Sequence, residues 1–195
     1  MNIADRLRKI DRVSTVFTIA DIKMILGVND SKSIYNALSY AVEKKELYKI
    51  SNGIYSYDQS YSRNEFGNKF RTPSYISLYT VLQEEGVVFQ PYSSISLISN
   101  RSEKININKQ EYIYRKIKDS ILLNPLGIRE RDGINIATKE RAICDKIYLD
   151  GLEYFDNTEN IDWNMVNQLN NEVYSNNSNI SKFITIYKNE TVRHN

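Results

Sequence analysis

Apolar positions recur at helical spacing three times in the N-terminal quarter of the chain. Ile3, Leu7 and Ile10 fall at i, i+4 and i+7, which places them on one face of a first helix. In VFTIADIKMILGV, Thr18 is a good N-cap and Asp21 stands three residues on, an acidic capping box. Phe17 before the cap and Ile22 after it fit a hydrophobic staple, and Gly27 supplies the stop. Asp30 or Ser31 then caps a longer helix, SKSIYNALSYAVEKK. At about 100° per residue, Ile34, Leu38, Ala41 and Val42 share one stripe. Lys32, Ser33, Asn36, Ser39, Tyr40 and Glu43 lie on the other side.

The pattern then changes period. KELYKISNGIYSY carries two short β-branched and aromatic pieces around Asn52-Gly53, a hairpin signal. Leu47, Ile50, Ile54 and Tyr57 are expected to fold the inner face of this hairpin onto the third helix, leaving Lys49, Ser51 and Asn52 for the tip and outer edge. Helix, short capped helix, tight turn, longer helix and immediate hairpin are the parts of a winged helix-turn-helix. The outward face of the third helix suits the major groove, where Asn addresses adenine and Ser, Lys or Tyr reach phosphates or base edges. An ordinary solvated face has the same composition. The candidate DNA-binding residues are therefore Lys32, Ser33, Asn36, Ser39 and Tyr40 on the helix, with Lys49, Ser51 and Asn52 on the hairpin.

From Asp58 to Thr72 the chain is polar and aperiodic, and reads as a linker (58–72) between a DNA-binding domain (1–57) and a mixed α/β domain (73–195). Thr72-Pro73 reads as N-cap and first helical residue of a helix SYISLYTVLQEE ending at Gly86. VVFQP, SISLIS and YIYRKIK read as strands, and Arg131-Asp132-Gly133 as a hairpin turn before the strand INIA. Thr138 caps ATKERAICDKIYLDGL, with Ala142, Ile143 and Ile147 inward, and IDWNMVNQLNNEVY and SKFITIYKNE read as two final helices. The expected fold class is α+β: an N-terminal winged helix-turn-helix followed by a mixed α/β C-terminal domain.

Composition narrows the functional classes. The apolar runs are too short to cross a membrane, the N-terminus lacks the apolar core of a signal peptide, and the single Cys144 excludes an internal disulfide. A cytoplasmic protein is the simplest reading. The 15 tyrosines follow first from A/T-rich codon usage. Residues 1–57 hold nine Lys/Arg against six Asp/Glu, and residues 131–195 hold seven against ten, so the basic end is the N-terminal one.

The order of two further stretches carries a resemblance. PSYISLYTVLQEEGVV and INIATKERAICDKIYL, behind a hairpin ending NGIYSY, resemble AbiEi, the antitoxin and autoregulator of AbiE abortive-infection, type IV toxin–antitoxin systems. The matching positions are Ser74 to Ser77, Gly86, and Ala137, Thr138, Glu140, Arg141, Ala142 and Asp145, and the match covers residues 15–155. Glu84-Glu85 depart from it, standing where that family carries a small residue and His. The resemblance implies a repressor of its own promoter; since a single module this weakly charged should bind one half-site feebly, paired half-sites on double-stranded DNA are expected. It also implies an antitoxin whose functional partner is a co-encoded nucleotidyltransferase-like toxin, with no direct contact required.

No phosphate-binding glycine loop, dinucleotide fingerprint or HExxH occurs, and His194 is too terminal to pair convincingly with Cys144, so neither an enzyme nor a cofactor is expected and no metal site is assigned. The segment from Asp145 to Glu172, with seven acidic residues and one basic, leaves open a metal-dependent nucleic-acid enzyme or a surface for a basic partner, against a solvated helix face. Thr138 explains itself as a cap, Trp163 as an anchor for the last helices, and Asp145 as a bond to another segment. A protein-binding adaptor whose winged helix never touches DNA is the alternative to the repressor.

Overall fold

The structure is a computed structural model that describes residues 2–28 and 30–193; Asn29 and His194 lie outside the described residues. The chain is mixed α+β. Its N-terminal part runs α1 (Ile3–Ile10), β1 (Val16–Thr18), α2 (Ile19–Leu26), α3 (Ser31–Glu43), β2 (Tyr48–Ser51) and β3 (Ile54–Ser56). The strands form an antiparallel sheet in the order β1-β3-β2.

Local chemistry explains the helices. Thr18 Oγ1 accepts from Asp21 N while the Asp21 carboxylate accepts from Thr18 N, so the capping box at α2 is complete. Phe17 and Ile22 are both fully buried in one apolar cluster, and Gly27 ends the helix at φ +64°. Asp30 caps α3, accepting from Lys32 N and Ser33 N. Ile34, Leu38 and Ala41 are buried against Ala4 and Leu7 of α1. Ile10 departs from the expected stripe: it is 59% exposed, because α1 ends there and Ala4 takes the inward place.

The hairpin departs in a more consequential way. Ile50 and Ile54 do not face α3; with Val16 they belong to the C-terminal core. Tyr55 and Phe17, paired in register, take the helix-facing side instead. Side chains alternate along a strand, so a sheet covered on both faces needs both sets apolar. Among the two turn residues only Gly53 has positive φ, +75°, and the register slips between Lys49 and Ser51, giving a bulged turn. Ile19 N donates to Gly53 O at 3.1 Å, which pins that turn to the start of α2.

Beyond it come α4 (Arg63–Phe70), β4 (Ser74–Ile76), α5 (Tyr79–Glu84), β5 (Ile95–Ser99), β6 (Glu103–Ile107), β7 (Gln110–Lys116), α6 (Asp119–Leu122), β8 (Ile128–Arg131), β9 (Ile134–Ala137), α7 (Lys139–Asp150), α8 (Trp163–Glu172) and α9 (Ser178–Arg193). The second sheet has the order β6-β7-β5-β4-β9-β8, with β5·β7 and β4·β9 parallel and its other pairs antiparallel. Helices cover both faces. Ser74 Oγ bonds Asn68 O of α4 on one side, while Tyr75 and Ser77 reach Asp145 of α7 on the other.

Three expectations fail here. Residues 58–72 are not a featureless linker: α4 lies inside them, with Glu65 and Phe66 buried. The expected helix from Pro73 is a strand first. Thr72-Pro73 is cis, β4 occupies the middle of the sheet, and Leu78 at φ +55° precedes a helix of only six residues. VVFQP is a loop that buries Val87 and Val88 without strand pairing, whereas EKINI, unassigned from sequence, forms β6. The turn at Asp132-Gly133, the Thr138 cap and Trp163 packed against Phe183 and Tyr187 all follow expectation. No helix among the described residues is long and apolar enough to cross a membrane.

Candidate nucleic-acid interface

Helix α3 positions the candidate surface because its apolar stripe is fully spent on the N-terminal cluster. Lys32, Ser33, Asn36, Ser39 and Tyr40 are all exposed, so the five helix residues chosen from sequence share the solvent face. Tyr35, overlooked in the sequence, is 51% exposed beside them, and Tyr40 is 58% exposed. Tyr35 and Ser39 are spaced i, i+4, the signal that would have found it. On the hairpin, Lys49 and Asn52 are exposed and Ser51 is half-buried. The structure thus puts the eight residues on elements consecutive along the chain, α3 and the β2-β3 hairpin.

The electrostatics of this surface are mild. The Asp30 carboxylate occupies the first amides of α3, so the positive end of the helix dipole is already answered. Between Asp30 and Asn52 four lysines stand against three acidic residues. Lys44 Nζ lies 5.5 Å from the centre of the Tyr40 ring, which keeps a cation over that phenol. Arg8 of α1 stacks over Tyr57 at 4.5 Å, and burial pushes the Tyr57 phenol up to about 12. A polar, weakly basic face of this kind offers hydrogen bonds to base edges more than phosphate neutralisation.

Helix α4 fixes how this N-terminal unit sits. Glu65 Oε2 accepts from Thr15 N at 2.8 Å and from Thr15 Oγ1 at 2.6 Å. Lys69 Nζ reaches Glu65 at 3.1 Å, Asp21 at 3.3 Å and the Val16 carbonyl at 2.6 Å. The carboxylate of the α2 capping box is therefore held from α4, some fifty residues further along the chain.

The acidic segment has a different character from an open metal site. Asp145 is fully buried and accepts from Ser77 Oγ at 2.8 Å, Tyr75 Oη at 3.0 Å and Tyr174 Oη at 2.7 Å, with Arg141 Nε 3.7 Å away. Burial pushes the Asp145 carboxyl up, against the Arg141 guanidinium and the three hydroxyls. Burial also lifts Tyr75 and Tyr174 well above the usual phenol value, so both act as neutral donors. Asp150 pairs with Arg115 and Lys146, Glu153 with Lys146, and Asp162 caps α8. Among the described residues no group of three His, Cys, Asp or Glu is placed to hold a metal.

No family model matches the chain, and no curated protein matches it. The two sequence stretches that carry the AbiEi resemblance pack on one another: β4 pairs with β9 at Ile76 and Ile136, Lys146 Nζ lies over the Tyr79 ring, Tyr75 and Ser77 bond Asp145, and Arg141 Nη2 donates to Tyr75 Oη at 3.3 Å.

Proposed function

We propose that the N-terminal unit is a winged helix-turn-helix and that the protein is a sequence-specific DNA-binding repressor of its own promoter. The observation that carries this reading is the solvent face of α3, where Lys32, Ser33, Asn36, Ser39 and Tyr40 are all exposed, followed in the chain by a hairpin pinned to α2. The chain order α1-β1-α2-α3-β2-β3 and the sheet order β1-β3-β2 support it. In this reading α3 enters the major groove and the hairpin approaches the neighbouring backbone. The weak charge of the face calls for two half-sites bound together, each contributing too little alone. Residues 1–57 act as the DNA-binding domain and 73–195 as the second domain, joined by the α4 clasp. The second domain supports repression and neutralises a co-encoded nucleotidyltransferase-like toxin, as in AbiE-like systems, without direct contact being required. That part rests on the resemblance alone.

A gel-shift titration tests the DNA reading, using the region upstream of the gene, moderate salt and competitor DNA. The expected result is a specific shift with two steps or cooperative occupancy. Absence of any specific shift sinks the repressor. The second reading, a protein-binding adaptor, is favoured by one observation, the exposure of Tyr35 and Tyr40, since exposed aromatics anchor protein contacts as well as bases.

A further inference from the structure

The open cavity bordered by the end of α4, β4, α6 and the β8-β9 hairpin has no part in the proposed DNA contact. Its volume is about 430 Å³, within the range of small-molecule sites. Its walls are apolar: Pro73, Leu122, Pro125 and Ile128 line it, and Leu123 stands at the rim 67% exposed.

Its polar lining combines three carboxamides with the hydroxyl-bearing residues Thr72, Ser74 and Tyr75. Asn68, Asn124 and Asn135 all face it. Asn68 is 7% exposed; its Oδ1 accepts from Asn135 N at 2.8 Å, and its Nδ2 has no partner among the described residues. A buried amide left half-satisfied is uncommon in native folds and asks for an acceptor. Asn124 uses its Oδ1 on Leu126 N, which leaves its NH₂ as the free end. Charge is scarce by comparison. Lys69 is already bound to Asp21 and Glu65, and the other ionic side chain in the lining is the exposed carboxylate of Glu130.

We propose that this cavity binds a neutral, flat heterocycle bearing adjacent hydrogen-bond donors and acceptors, of the nucleobase or nucleoside class. Apolar walls take the ring faces, carboxamides match the amide-like ring edge, and Glu130 with an occupied Lys69 selects against a phosphate. The site adjoins the clasp on the N-terminal unit, because Asn68 and Lys69 are consecutive in α4.

The test is calorimetric titration of the full chain with adenosine, guanosine, cytidine, uridine and their 5′-monophosphates. Saturable binding of at least one nucleoside is expected, weaker for its monophosphate. Asn68→Asp keeps an oxygen for Asn135 N–H and removes the unpartnered donor. Leu123→Asn alters an exposed rim position that the fold does not need. At least a tenfold loss of affinity in either variant supports the site. No saturable binding of any nucleoside at millimolar concentration, tighter binding of a monophosphate, or unchanged affinity in both variants overturns it.

Discussion

The Nζ of Lys69 lies 3.3 Å from Oδ2 of Asp21, so α4 grips the capping box that starts α2. The same ammonium also meets Glu65 and the Val16 carbonyl, with the Lys69 side chain only 20% exposed. Lys69→Met removes a donor from a carboxylate, Glu65, whose side chain is 4% exposed. It is expected to cost about 1–3 kcal/mol, and Asp21→Asn about 1 kcal/mol. Urea denaturation reads both, and an unshifted midpoint for Lys69→Met would show the clasp to be energetically idle.

The buried Asp145 cluster should respond more strongly. Asp145→Ala leaves Arg141, also fully buried, without its carboxylate, and three hydroxyls without an acceptor. The expected loss is about 3–5 kcal/mol, against about 1–2 kcal/mol for Ser77→Ala. Equal losses for the two variants in chemical denaturation would refute the view that the charge, and not one hydrogen bond, dominates this site.

Acid sensitivity is expected at the pair joining the end of α4 to β6. Arg71 Nε and Nη2 donate to the two Glu103 oxygens at 2.6 and 2.9 Å, and this bonding holds the Glu103 carboxyl below its ordinary value. A carboxylate with a depressed folded pKa contributes stability that is present above its unfolded value, about 4.3, and lost as pH falls through the folded one. Glu103→Gln should therefore cost about 0.5–1 kcal/mol at neutral pH, and the gap to the parent should close below about pH 4. Thermal unfolding at pH 7 and at pH 3 measures it; a gap of the same size at both would contradict the assignment.

On DNA, Asn36 and Lys49 are expected to fail differently. Asn36→Ala should relax specificity at one base position, costing about 1–3 kcal/mol on the promoter and little on random DNA. Lys49→Ala should weaken both alike and reduce the slope of affinity against salt by about one. Quantitative gel shifts over a salt series separate the two, and equal loss on promoter and random DNA for Asn36→Ala would remove its base-reading role.

The elements read correctly in the sequence are those whose signals are local. The Thr18 capping box, the Asp30 cap, the Gly27 stop and the stripe Ile34, Leu38, Ala41 each depend on residues within a few positions, and the structure has them as read. The candidate surface was legible for the same reason. Once the inward stripe of α3 is known, its outward face is fixed by helical geometry, and Tyr35 and Ala37 were missed.

Where the reading failed, long-range burial decided. β4 has the composition of an amphiphilic helix start, but all three of its residues are buried by helices on both faces, which erases any period. RNEFGNKF looks like a linker because its apolar residues are few. It becomes a helix held by Thr15, Asp21 and the sheet, where Gly67 allows an approach so close that an added Cβ would lie 3.2 Å from Leu97.

By itself the sequence determined the helices capped by Thr18, Asp30 and Thr138, the turns at Asn52-Gly53 and Asp132-Gly133, and which face of α3 meets solvent. Each follows from backbone dihedrals, capping groups or a single period. The tertiary structure alone decided that Ile50 and Ile54 face the C-terminal core, that Asp145 gathers Tyr75, Ser77 and Tyr174, and that Lys69 grips Asp21. These contacts join residues tens of positions apart, and their energies arise only when water has been excluded between elements that no local pattern brings together.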